Sequence, residues 1–179
     1  ERSEAIPWLV LFALVAIPLV VLRPWLVIAA IAVGIVWLAS AWLTWIGRER
    51  GIANDLILVV LSAVAVPLMC MAAQDTFAIP PDIGMATAVT AAFFVGSVLH
   101  VKSLIREADD RRWHVASMVY AVAVTAAAPF VSWWLLPAFA GGAVRTIVMK
   151  PGLRPGVIGA IEAVLSLLVI AGVVLATRS

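Results

Sequence analysis

The chain has 179 residues, of which 65% are hydrophobic and 12% are charged, and its formal net charge is +2. Soluble domains average about 45–50% apolar and about 25% charged residues. This composition therefore excludes a soluble globular protein, because the chain has too few polar residues to cover the surface of one. The small net charge gives no reason to expect a nucleic-acid partner. The single cysteine, Cys70, lies in an apolar run, which excludes an intrachain disulfide and a thiolate metal cluster and predicts a buried apolar side chain.

Seven apolar segments follow one another along the chain. A helix needs roughly 20 apolar residues to cross a hydrocarbon core of about 30 Å. The predicted spans are approximately 6–22, 25–46, 53–73, 84–104, 114–131, 133–149 and 156–176. The sequence therefore predicts an all-α, polytopic transmembrane helical bundle of about seven spans, forming a single transmembrane domain over residues 1–179. Because the first residue is Glu and no signal peptide is visible, we expect a processed or partial chain.

Lysine and arginine are distributed unevenly between the two predicted ends of the bundle. If the loop GRERG (47–51) is cytoplasmic, ten of the twelve cations fall on the cytoplasmic side: Arg2, Arg48, Arg50, Lys102, Arg106, Arg111, Arg112, Arg145, Lys150 and Arg154. Cytoplasmic loops are enriched in these residues, and tryptophans, which favour the interfaces, cluster at the predicted span ends. This bias predicts a cytoplasmic N-terminus and an external C-terminus.

Two ionisable residues lie inside predicted spans. Glu162 is seven residues into the last span, which corresponds to roughly 10 Å at 1.5 Å per residue. Arg145 lies at a similar depth in the preceding span, so we predict an ion pair between the two. Gly159 and Ser166 share the face of Glu162 by helical spacing, which indicates a protein-facing stripe. The pair either locks the helices together or faces a ligand.

Asn54 and Asp55 open the third predicted span, directly after the arginines of the 47–51 loop. Both residue types cap helices, and an acid is favourable at the positive end of the helix dipole. The alternative is a contact with a lipid headgroup or a metal at the cytoplasmic mouth of the bundle.

The segment FFVGSVLHVKSLIRE (93–107) passes from apolar to highly charged. Regular α-helical spacing assigns its polar residues to two faces, one with His100, Ser103 and Glu107 and the other with Lys102, Arg106 and Asp110. Like charges four residues apart are mildly destabilising, so the two cations indicate an anion such as a lipid phosphate, Asp55 or a ligand. Alternatively, their long side chains extend to the headgroups. His100 lies deeper and is either a hydrogen-bonded structural residue or a functional one.

The candidate ligand-binding residues all fall in the predicted cytoplasmic half of the bundle. They are Asn54, Asp55, His100, Lys102, Arg106, Arg145 and Glu162. This one-sided polarity predicts a cytoplasm-facing polar cavity. There is no Walker loop, dinucleotide-binding glycine motif or HExxH sequence, and no aspartate-rich pair of the kind that holds magnesium in isoprenoid transferases. The sequence identifies no metal site and no cofactor.

Three blocks of sequence carry a family resemblance. RERGIANDL (48–56), FFVGSVLHVKSLIRE (93–107) and GVIGAIEAVLSLL (156–168) resemble the corresponding blocks of the YwiC-like integral membrane proteins of bacteria. The resemblance covers nearly the whole chain and implies that the candidate residues other than His100 occupy the polar motif positions of that family. His100 departs from the pattern, which has an aromatic residue there. The family also carries an N-terminal segment with an Asn-Gln-His-Gly-Ala-Trp type motif, which is missing here.

The leading functional hypothesis is a multi-pass protein of the bacterial cytoplasmic membrane that binds a small anionic or lipid-like ligand at a cytoplasm-facing site. One alternative is an accessory subunit of a larger membrane complex, for example a respiratory one. The other is a membrane enzyme acting on an isoprenoid or a quinone. The expected partners are therefore the lipid bilayer and either a small anionic or isoprenoid ligand or other membrane proteins.

Overall fold

Every element of the chain that the structure describes is helical. The computed structural model describes residues 10, 14, 17, 18, 20–150 and 152–178. They divide into two compact units, the first ending at Pro80 and the second beginning at Pro81. The sequence-based expectation of a single transmembrane domain stays a prediction.

Six α-helices can be followed from residue 20 onward. They are α1 (Leu26–Trp45), α2 (Ile52–Gln74), α3 (Pro81–Val101), α4 (Arg111–Val131), α5 (Leu136–Val148) and α6 (Pro155–Ala176). A π-helical turn, Lys102–Arg106, continues α3, and a 3₁₀ turn, Trp133–Leu135, precedes α5.

Five of these helical segments are long and apolar enough to cross a bilayer: α1, α2, α3 with its π-helical turn, α4 and α6. They correspond to the second, third, fourth, fifth and seventh predicted spans, and the observed ends lie within three residues of the predicted ends. The chain is a multi-pass membrane protein. Most of the first predicted span, 6–22, lies outside the described residues.

The sixth predicted span, 133–149, is shorter as a helix than the sequence suggested. Only α5, with 13 residues, is α-helical, and a 3₁₀ turn takes up the three residues before it. At 1.5 Å per residue, α5 is about 20 Å long, which is less than a hydrocarbon core of about 30 Å. The reason is local: Ser132 is extended and its hydroxyl accepts from the Trp134 N–H, so α4 ends there and Pro137 starts a new helix.

The first unit contains α1 and α2, which pack against each other. At one end, the guanidinium of Arg23 lies 2.6 Å from the carboxylate of Asp75, and the rings of Trp25 and Phe77 are 4.8 Å apart. At the other end, the buried side chain of Asn54 connects the two helices. Both ends of the helix pair are therefore tied by polar or aromatic contacts.

The second unit packs α3, α4, α5 and α6 around one apolar core. The edge-to-face pair Phe93 and Phe139 joins α3 to α5, and Leu165 of α6 belongs to the same cluster. Helix α6 lies very close to the 3₁₀ turn at Gly172. A Cβ added to Gly172 would lie only 2.7 Å from the carbonyl oxygen of Trp134. Only glycine allows the backbones to approach this closely.

The π-helical turn changes the direction of the side chains that follow α3. Its backbone bond runs from the Glu107 N–H to the Lys102 carbonyl at 2.9 Å, five residues apart. Leu104 in this turn packs with Met149 and Ile158. The turn therefore lies beside the α5–α6 connection, at the same end of the second unit. π-Helical turns inside membrane helices frequently occur at functional sites.

Candidate functional site

The Glu162 carboxylate is the centre of a polar contact between three helices. It forms an ion pair with the Arg145 guanidinium, which confirms the predicted pairing. Its other oxygen accepts a hydrogen bond of 2.7 Å from the Ser97 hydroxyl of α3. The side chains of Arg145 and Glu162 are only 6% and 15% exposed. Because the pair connects α5 to α6 and Ser97 adds α3, this contact fixes the relative positions of three helices.

His100 is fully buried, with 0% of its surface exposed. Neither ring nitrogen has a hydrogen-bond partner among the described residues. The Ser103 hydroxyl donates a hydrogen bond of 2.8 Å to the backbone carbonyl of His100 and not to its ring. Arg145 and His114 lie within electrostatic range of the ring. An imidazole always carries at least one donor, so the ring has hydrogen-bonding capacity that no described residue uses. Both alternatives that the sequence offered for His100 stay predictions.

Within the second unit, two further buried polar atoms lack a partner among the described residues: Nε of Arg145 and the hydroxyl oxygen of Ser117. Thr125, Thr146 and Ser166 of these helices each donate to the carbonyl four residues earlier, Thr146 to Gly142 at 2.9 Å. Such back-bonding is the usual solution for a hydroxyl in a membrane helix. Ser117 does not use it, which leaves its hydroxyl available to another partner.

A small cavity of about 20 Å³ borders Arg145. It is lined by Arg145, by Gly96 of α3 and by Tyr120 of α4, among other residues. His100 follows Gly96 by four residues, and Ser117 precedes Tyr120 by three. Since α3 and α4 are consecutive helices joined at their charged ends, both side chains lie about one helical turn from the cavity, toward that end. The volume is enough for about one water molecule.

Lys102, the first residue of the π-helical turn, is buried, and whether it meets a lipid headgroup stays a prediction. Its Nζ lies 5.1 Å from the centre of the Trp113 ring and 3.7 Å from the Glu107 carboxylate, whose side chain is 40% exposed. The predicted separation of Lys102 and Glu107 onto different faces was wrong. A π-helical turn brings residues five apart together, whereas the prediction assumed the spacing of an α-helix. Arg106 is exposed.

Asn54 and Asp55 belong to the first unit. Gly51 is the N-cap of α2, without a side-chain hydrogen bond, so Asn54 does not cap the helix. Instead, Asn54 accepts a hydrogen bond of 2.5 Å from the Ser40 hydroxyl and donates one of 2.9 Å to the Glu49 carbonyl. Asp55 lies in the first turn of α2, where its carboxylate interacts favourably with the positive end of the helix dipole.

The second unit thus brings Ser97, Arg145 and Glu162 into one polar contact, with Arg145 also lining the cavity. Sequence reasoning missed Ser97, Ser117 and Tyr120. Ser97 precedes His100 by three residues, so helical spacing from a buried candidate could have found it. Ser117 and Tyr120 were missed because the sequence analysis selected charged and ionisable residues inside the spans, and a serine and a tyrosine in a helix do not stand out by that criterion. Among the described residues, no group of three or more His, Cys, Asp or Glu side chains is arranged to hold a metal.

Comparison with known proteins finds no matching family model, no matching curated protein and no matching solved structure. The resemblance to the YwiC-like membrane proteins therefore stays a prediction.

Proposed function

We propose that the second unit binds a small anionic or lipid-like ligand at the polar cluster around Arg145. The observation that carries the proposal is the fully buried His100 ring, both of whose nitrogens lack a partner among the described residues. Leaving a buried polar group unpaired costs about 1–3 kcal/mol, and more where no water is near. A ligand that accepts a hydrogen bond from the ring would remove this penalty.

The unpaired atoms favour an oxygen-rich ligand. Nε of Arg145 carries only a donor, and the hydroxyl of Ser117 can donate as well. A carboxylate or phosphate oxygen accepts such bonds, and bonds to a charged partner are roughly twice as strong as neutral ones. The positive charge of Arg145 is already offset by Glu162, so the added ligand needs only one or two acceptor oxygens. Since the cavity has room for about one water molecule, a larger ligand requires a helix to move outward.

We also propose that the end of the bundle with the π-helical turn faces the cytoplasm of a bacterial cell. Support comes from the sequence, because ten of the twelve lysines and arginines fall on that side of the predicted topology. In that orientation, the polar cluster lies in the cytoplasmic half of the bilayer. The accessory-subunit and isoprenoid-enzyme hypotheses stay predictions.

The test is native mass spectrometry of the full chain extracted from its own membranes. We expect a stoichiometric small-molecule adduct on the wild-type chain. His100→Phe preserves an aromatic ring but removes both nitrogens, so it should lose the adduct while keeping, or slightly raising, the thermal stability. His114→Phe, at the other and only half-buried histidine, is the matched control and should retain the adduct.

Two results would overturn the proposal. One is a wild-type chain without any adduct that instead co-purifies in a large assembly, which would support an accessory subunit. The other is an adduct that His100→Phe retains as well as the wild type does, because the ligand would then bind elsewhere.

A further inference from the structure

An open apolar groove lies on an exposed side of α4, apart from the buried cluster. Its volume is about 750 Å³, and it is lined by one face of α4, from Arg112 through Val115 and Val119 to Ala123, with Leu99 of α3 along its edge. Sites for small ligands have volumes of about 300–1,000 Å³. The groove is therefore large enough for a ligand and apolar enough for a hydrocarbon chain.

The groove has charge at one end only. Arg111 and Arg112 are exposed in the first turn of α4, and the remaining lining residues are uncharged. Neither arginine forms a salt bridge within the described part of the chain. Asp110 lies beside them, but its carboxylate accepts from the Arg112 backbone N–H at 2.9 Å and so caps the helix. The two guanidinium groups remain available, and guanidinium groups bind phosphate oxygens in a bidentate manner.

The length of the groove corresponds to one leaflet of a bilayer. From Arg112 to Ala123 there are eleven residues, or about 17 Å of helix. Half of a hydrocarbon core of about 30 Å is about 15 Å. With the arginines at the headgroup level, the apolar part of the groove ends near the bilayer midplane. A lipid of that leaflet would match both the charged and the apolar portion.

Tyr120 separates the groove from the buried cavity, because its side chain lines both. Its hydroxyl donates a hydrogen bond of 2.8 Å to the Ala92 carbonyl. Its ring lies against Gly96, where an added Cβ would be 3.1 Å from the nearest ring carbon. Apart from Tyr120, the groove and the cavity are lined by different residues, so the groove is a site of its own, independent of the ligand proposed for the cluster around Arg145.

We infer that this groove, with Arg111 and Arg112 at its head, binds one anionic glycerophospholipid of the bilayer, its phosphate on the two guanidinium groups and one acyl chain along Val115, Val119 and Ala123. The inference rests on charge complementarity at one end, an apolar lining along the rest, and a length of one leaflet.

The experiment uses the full chain in nanodiscs that contain equal parts of phosphatidylglycerol and phosphatidylcholine with identical acyl chains. Native mass spectrometry after release from the nanodisc measures which lipid stays bound. We expect one phosphatidylglycerol molecule per chain, retained in preference to phosphatidylcholine. Each cation near an anionic bilayer surface contributes about a fivefold change in affinity, so Arg111→Gln with Arg112→Gln should lower retention about 30-fold.

Two further variants separate the groove from general surface charge. Arg48→Gln with Arg50→Gln removes two exposed arginines that also precede a helix, α2, and should leave retention unchanged. Ala116→Phe with Ala123→Phe fills the groove from exposed positions while keeping Arg111 and Arg112, and should abolish retention.

Three results would overturn the inference. The first is equal retention of the two lipids, since the arginines would then not select the anionic headgroup. The second is an equal loss from both arginine double variants, which would mean that only the overall charge matters. The third is full retention by the groove-filled variant, provided that it elutes as the wild type does on size exclusion.

Discussion

The ion pair between Arg145 and Glu162 gives the sharpest test of how the second unit is held together. Glu162→Gln keeps the size of the side chain and an oxygen that can accept from the Ser97 hydroxyl, but it removes the negative charge. Arg145 is then a buried cation whose Nε already lacks a partner among the described residues. The substitution therefore isolates the role of charge from the role of shape.

The expected loss of stability follows from the burial of the two partners. Removing one partner of a buried ion pair destabilises a protein by about 3–5 kcal/mol, because the other charge stays buried without compensation. Glu162 is 15% exposed, and its replacement can still accept from Ser97. We therefore expect a value at the lower end, about 3 kcal/mol.

The assay is reversible unfolding of the purified chain by titration with a denaturing detergent, followed by tryptophan fluorescence, for which the eight tryptophans provide the signal. Glu49→Gln is the matched control, because Glu49 pairs with Arg50 at 3.7 Å and the two side chains are 55% and 81% exposed. An exposed pair contributes about 0–1 kcal/mol, so the control should change little. The reasoning is refuted if Glu162→Gln is no more destabilising than Glu49→Gln.

Two more predictions concern packing and orientation. Gly172→Ala should destabilise the chain by about 1–3 kcal/mol, because its Cβ would meet a backbone carbonyl of the 3₁₀ turn at 2.7 Å. Gly159→Ala, whose Cβ would meet nothing within 4 Å in the same helix, should instead stabilise it by about 0.5–1 kcal/mol; equal effects in the same unfolding assay would contradict the close approach. For orientation, a Cys70→Ser background carrying Ala78→Cys should react with an impermeant maleimide in intact bacterial cells. Asp109→Cys should react only after lysis, and the reverse pattern would invert the proposed topology.

The polar residues of the second unit show how far sequence reasoning extends. The Arg145–Glu162 pair could be predicted, because two opposite charges at similar depth in consecutive membrane helices have few other ways to avoid an unpaired charge in lipid. The partner Ser97 could not be predicted with the same argument. A serine can satisfy itself on its own backbone, so its sequence position does not require a contact with another helix.

The charged end of α3 shows where periodicity fails. The cations and the histidine were identified as candidates from the sequence, but the faces assigned to Lys102 and Glu107 assumed 3.6 residues per turn. In the π-helical turn at Lys102–Arg106, residues five apart lie above one another, so Lys102 and Glu107 come together instead of lying on different faces. Such a turn is stabilised by packing with Met149 and Ile158, which are about fifty residues away in the chain, so no local pattern encodes it.

Hydrophobic length and composition by themselves determined that this chain spans a membrane several times and where five of its helices lie, because apolar runs near 20 residues are long enough to cross the hydrocarbon core. The same criterion overestimated the segment at 133–149, since composition does not register the extended Ser132 that ends α4. Only the tertiary structure decided that His100 is buried without a partner and that Tyr120 separates an inner cavity from an outer groove. These features depend on which side chains meet between helices, and the packing of distant segments sets those contacts.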